Sequence, residues 1–196
     1  MKLRTSLKNN KYILMFLCTL FVIGIIFGII YFIKQPSIVK SAIGTEMDMF
    51  KELIKTTKQN QVLYHLLILV IIFFLNFTVI GFLANIFYLF YEGCSLGFSI
   101  ALFTYKYKIS GIIFGLIFNI ITKSFFLILI GYIGFLGIKI VKKTIGSVVL
   151  KQNNLNYIFL KKHILIFFII IGVSLFSDLI LYLWGNSFLK LFLFLI

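Results

Sequence analysis

The chain has 196 residues, of which 62% are hydrophobic and 12% charged, with a mean hydropathy of +1.13. A soluble domain carries about 45–50% apolar and 25% charged residues, so this composition excludes an ordinary globular fold and implies an all-α, polytopic transmembrane bundle. The net charge of +14 does not imply a nucleic-acid partner, because the 19 basic residues lie mostly at the ends of apolar runs, where they orient membrane helices.

Lys2, Arg4, Lys8 and Lys11 precede 22 uncharged residues, Tyr12 to Ile33. That run outlasts the roughly 7–15-residue core of a cleavable signal, and no small-x-small site follows it. It predicts a retained first span over residues 12–33. Cys18 and Cys94 sit inside apolar runs without the spacing of a disulfide framework or a metal site.

Residues 34–60 form the longest polar segment. Pro36 blocks helix continuation, and Thr45 with Asp48 three residues on has the form of a capping box. Met47, Phe50, Leu53 and Ile54 then share one side, while Asp48, Lys51, Glu52, Lys55 and Lys58 cover the rest. The pattern predicts an amphipathic helix on the membrane surface or against a partner, with a solvated connector as the plainer alternative.

Val62 to Tyr105 comprises 44 residues with one charge. As a single helix it would run about 66 Å, twice the roughly 30 Å hydrocarbon core, so it must double back. Asn76, Gly81 and Asn85 are the candidate breakers, and a tight hairpin is expected at Gly81 to Asn85, separating spans over 62–82 and 85–105. A fourth span is expected over 109–138 and a fifth over 163–184, with the apolar Ser187 to Ile196 in the interface. With the N-terminus inside, ten basic residues fall in inner segments and eight in outer ones, which favours N-in and C-out and puts the 34–60 connector outside.

The chemistry of the chain centres on Glu92. A charge at the middle of a membrane helix costs roughly 2.5–3.5 kcal/mol on insertion scales, so it has a partner or a task. Glu92 lies 14 residues before Lys106 and Lys123 lies 17 after it. These separations are about 21 and 26 Å along two helices, so antiparallel neighbours would hold the acid and the amine at similar heights. An ion pair is expected, and helix registry without any transport role is its plainer purpose. Gly111, Gly115, Asn119 and Lys123 form a small-then-polar stripe at four-residue spacing. Gly93, Gly97 and Ala101 form a second small stripe, and Gly24 with Gly28 a third, as in helices that pack closely in lipid. Asn76 is read as a helix breaker or a cross-helix hydrogen bonder. Asp178 is expected to reach the interface, and His65 and His163 to be solvated at helix ends.

The sequence holds no His-Glu-x-x-His or His-x-x-Glu-His metal pattern, no phosphate-cradling Gly-Lys-Ser/Thr loop and no two carboxylates on one span. Two histidines and five acids leave few means for hydrolysis, so neither an enzyme nor a cofactor is expected.

Leu89-Phe90-Tyr91-Glu92-Gly93-Cys94-Ser95-Leu96-Gly97-Phe98-Ser99, with its Gly-x-x-x-Gly-Phe, resembles the third span of the stage II sporulation protein M family of bacterial membrane proteins. Gly111-Ile112-Ile113-Phe114 opens a fourth span in a similar way, Val22 to Gly28 resembles the first, and Asp178 stands where the family has an acid near the end of its fifth. The chain departs from that pattern at Ile120-Ile121-Thr122-Lys123, which lacks a proline, and at Glu92 itself. The resemblance implies a non-catalytic five-span scaffold of the bacterial cytoplasmic membrane that recruits peptidoglycan hydrolases during engulfment of the forespore. The bilayer and wall hydrolases would be its partners, without a cofactor, and a homo-oligomer stays open. A transporter or permease subunit that uses Glu92 and Lys123 is the alternative.

Overall fold

A computed structural model describes residues 11–56, 62–76, 78–148 and 157–193. Lys2, Arg4, Lys8, Lys58 and Lys151, which entered the orientation argument, lie outside the described residues, as do the side chains of Phe50, Leu53 and Ile54. Every element is helical: α1 (Lys11–Ile33), α2 (Ser37–Thr56), α3 (Val62–Leu75), α4 (Val79–Val148) and α5 (Tyr157–Ile180), then a π-turn (Leu181–Gly185) and the short α6 (Asn186–Phe192). Three stretches are long and apolar enough to cross a membrane: Lys11–Ile33, Leu83–Val141 and Lys161–Gly185.

α4 is not one rod. Lys108 has φ 56° and ψ −133°, so the helix folds there into two arms, residues 79–107 and 109–148. The arms pack antiparallel, since Asn119 meets Ser99, Lys123 meets Ser95 and Gly134 approaches Asn85. α1 runs parallel to the first arm, with Gly24 against Gly93 and, further along, Phe32 against Phe98 and Tyr105. α3 lies antiparallel to α5, with Phe73 stacked on Phe167 at one level and His65 beside Asp178 at another.

The small stripes explain the α1 contact. Cβ atoms at Gly28 and Gly97 would overlap the carbonyls of Cys94 and Ile25, so both backbones touch where side chains are missing. Gly111 makes the same close approach to the Phe103 carbonyl, and Gly115 to the Phe103 ring. Lipid supplies no hydrophobic drive for helices to meet, so such direct backbone packing carries the association.

α3 ends at Leu75 and α4 begins at Val79, so the break falls ahead of Gly81 to Asn85. Gly81 still has a reason to be glycine, because a Cβ there would overlap the Leu75 carbonyl as the chain passes over the turn. Asn85 donates to the Gly81 carbonyl at 3.0 Å and also to the Asn76 side chain, so it staples the turn from inside α4. The expected capping box is absent too. α2 begins at Ser37, directly after Pro36, and Thr45 lies within it, donating to the Ser41 carbonyl at 3.2 Å.

One end of the bundle is closed by a cap. Met47 of α2, Phe103 and Phe114 beside the Lys108 turn, and Leu189 of α6 form a buried apolar cluster. Lys106 donates to the Gly44 carbonyl at 2.9 Å and to Asp48 at 2.8 Å, tying the turn to α2. The segment after Trp184 therefore packs on this cap through Leu189; it continues α5 through the π-turn, a wider turn than an α-helix makes. Lys11, Lys139, Lys143, Lys161 and Lys162 mark the opposite end. Between the two ends the outside is apolar, with Phe87, Phe125, Phe168 and Phe176 exposed, while polar side chains such as Asn119 and Ser174 are buried. An apolar outside, with polar side chains placed within the bundle, suits a lipid solvent.

Candidate functional site

Glu92 lies 13 residues after Val79 and 15 before Tyr107, so it stands about 20 and 22 Å from the ends of its arm. It is 3% exposed. The Lys123 ammonium lies 3.3 Å from Glu92 Oε2 and donates to Ser95 Oγ at 2.8 Å. The Tyr88 hydroxyl donates to Glu92 Oε1 at 2.7 Å. The antiparallel fold at Lys108 produces this meeting, because it matches residues equally far from the turn. Both carboxylate oxygens have a partner, the condition that makes a buried charge tolerable.

One turn toward the cap, Asn119 donates to Ser99 Oγ at 2.8 Å and to the Gly115 carbonyl at 2.7 Å. Thus Glu92, Asn119 and Lys123 join in one polar seam between the arms. Gly93 and Gly97 face the other way, onto α1. Gly111 and Gly115 sit at the cap end of the seam and let the arms close.

Asp178 does not reach the interface. It is buried, and its Oδ1 lies 2.8 Å from His65 Nδ1. His65 is therefore not a solvated helix-end residue; it is buried as well and stacks on Phe126 with ring centroids 3.9 Å apart. His163 is also buried. The sequence signal for the pair was thin: a histidine near the start of one apolar helix and an acid near the end of another. Phe126 meets Tyr88 edge-on at 6.4 Å. The His65–Asp178 and Glu92–Lys123 pairs thus stand at one height, joined through Phe126 and Tyr88. Asp178 Oδ2 has no hydrogen-bond partner in this arrangement.

One further motif is easily passed over in so oily a sequence. Gly93-Cys94-Ser95-Leu96-Gly97 has the Gly-x-Ser-x-Gly spacing of a nucleophile elbow, and Lys123 touches its serine. The elbow requires a sharp strand-to-helix turn that exposes the serine. Here the five residues lie within a continuous helix, and the two glycines are consumed by packing on α1. Lys123 donates to Ser95 Oγ and to Glu92 Oε2, and an ammonium that donates has no lone pair to take the serine's proton. The geometry is that of a structural hydrogen bond. Among the described residues no three His, Cys, Asp or Glu side chains gather as a metal site.

No family model, no curated protein and no solved structure matches this chain.

Proposed function

We propose that the chain is a non-catalytic, five-pass anchor of the bacterial cytoplasmic membrane, N-terminus inside and C-terminus outside, that holds cell-wall hydrolases at its capped end. The supporting observation is the attachment of α2 to the bundle. An amphipathic segment tied by Lys106 to Asp48 and by Met47 to the Phe103–Phe114 cluster is held in place, as a docking platform needs to be. α2 also carries Glu46, Asp48 and Glu52, three of the chain's five acids, and leaves Ile38 and Met49 exposed. The likeness of Gly93 to Ser99 and of Gly111 to Phe114 to the sporulation family supports the same reading, and in a spore former the step served would be engulfment.

The test is crosslinking and affinity capture of the tagged chain from its native membrane. Wall hydrolases should be recovered with the wild type and lost when residues 37–56 are replaced by a Gly/Ser linker of equal length. Retention of the same partners by that variant would defeat the reading.

A permease subunit is the second reading, favoured by the mid-height polar seam, since intramembrane acids, amines and histidines often mark ion or proton paths. It requires Glu92→Gln to abolish a measurable flux while partner capture persists.

A further inference from the structure

A lateral groove of about 530 Å³ opens between α1 and the second arm of α4, on the half of the bundle away from the cap. Its walls are almost wholly apolar and include Leu17, Cys18 and Phe21 on one side and Ile128, Tyr132 and Phe135 on the other. Gly131 forms part of its floor, and a Cβ built there would meet nothing within 4 Å.

The groove wall runs on into charge. Ile128, Tyr132 and Phe135 recur at helical spacing, and the same stripe continues to Lys139 and Lys143. The Lys139 ammonium lies 4.3 Å from the centroid of the Phe135 ring, so one wall residue carries the cation at the groove's mouth. Lys143 and Lys162 are close enough to Lys139 to repel it. On the facing helix Lys11 precedes Leu14 and Cys18 on the groove side of α1. The five acids stand elsewhere, three on α2 at the cap and Glu92 and Asp178 at mid-height, so this end is strongly positive.

We propose that this groove binds an anionic phospholipid, with an acyl chain along Phe21, Gly131 and Tyr132 and the phosphate on Lys139 and Lys143. The occupant follows from the combination of features. A second copy of this chain has no apolar helix with an acid near the basic end to match the lysines. Free phosphate would use the lysines and leave the groove without purpose. Basic pockets beside membrane helices favour anionic headgroups in the same way.

Native mass spectrometry of the detergent-solubilised full chain tests this with phosphatidylglycerol, phosphatidylcholine and glycerol 3-phosphate as probes. One phosphatidylglycerol per chain should be retained in preference to phosphatidylcholine. Lys139→Gln with Lys143→Gln should weaken retention roughly thirty-fold. Gly131→Leu, which enters open space and leaves the lysines intact, should also weaken it. Lys34→Gln with Lys190→Gln, at the cap end, should leave it unchanged. Equal binding of the two phospholipids would overturn the proposal, as would wild-type retention by both groove variants. Full competition by glycerol 3-phosphate would show a phosphate site in place of a lipid site.

Discussion

His65 Nδ1 stands 2.8 Å from Asp178 Oδ1, and these residues are 113 positions apart in the chain. The contact fixes α3 against α5 at the height where Glu92 and Lys123 fix the two arms of α4 to each other. Five helical rods, counting the arms separately, are thereby held in register by two polar side-chain pairs near mid-height and by the glycine crossing of α1.

The two members of the His65–Asp178 pair should not be equally replaceable. Removal of Asp178 leaves an imidazole that still stacks on Phe126 and carries both a donor and an acceptor nitrogen. Removal of His65 leaves a buried carboxylate whose other oxygen already has no hydrogen bond. His65→Leu should therefore destabilise more than Asp178→Leu, and the double replacement should recover part of the loss. Thermal unfolding of the three detergent-solubilised variants checks the order, and a larger loss for Asp178→Leu would contradict it.

For the other pair, breaking a buried ionic contact from one side costs about 3–5 kcal/mol. The Lys123 side chain is 25% exposed, so the lower end of that range applies to Glu92→Leu. About 3 kcal/mol corresponds to a fall in Tm of roughly 6–12 °C for a chain of this size. Glu92→Leu with Lys123→Leu should regain most of it, because neither charge is then left alone. A double-mutant cycle in Tm measures the coupling, and additive losses would show that the pair contributes no coupling.

The heights of Glu92 and Lys123 could be read from the sequence because the charged Lys106-Tyr107-Lys108 marks a turn, and counting outward from it fixes both positions. The glycine stripes could be read for a similar reason, since they need only helical spacing. Which stripe faces which helix could not, because spacing carries no information on neighbours. His65–Asp178 was hidden for that reason, as both lie on helices whose adjacency arises only from the whole bundle. The turn after α3 was misplaced because Gly81 and Asn85 were preferred to Asn76, the candidate breaker that stands at the end of α3, whereas Gly81 serves a close approach to the Leu75 carbonyl.

The glycines differ in what they contribute. A methyl group at Gly28 would overlap the backbone of Cys94, which cannot move without shifting the first arm of α4. One at Gly172 would meet nothing within 4 Å and raises helix propensity by about 1 kcal/mol. Gly28→Ala should therefore lower Tm and weaken a cysteine crosslink placed between α1 and that arm. Gly172→Ala should be neutral or stabilising. Equal effects would mean that α1 does not pack through Gly28.

Lys108 is the described non-glycine residue with positive φ, at 56°. A side chain in such a conformation costs on the order of 1–3 kcal/mol, which glycine avoids. Lys108→Gly should raise Tm by at least about 2 °C while preserving the fold of the arms. A fall in Tm would show that the lysine side chain contributes more to the turn than its backbone costs.

The cap predicts an alkaline limit. The hydrogen bond that Lys106 donates to Asp48 raises the Lys106 pKa above its ordinary 10.5, ahead of the opposing effect of desolvation. Because the folded-state value lies above the unfolded one, the pair's contribution is complete below about 10.5 and is lost as pH rises through the higher folded value. The wild type should thus lose Tm in that alkaline window more steeply than Lys106→Met, which has no proton there to lose. Adding salt should reduce the difference, since the pair faces solvent and its attraction is screened. Parallel curves for the two proteins through the alkaline range would show that α2 is held to the turn by Met47 and its apolar neighbours alone.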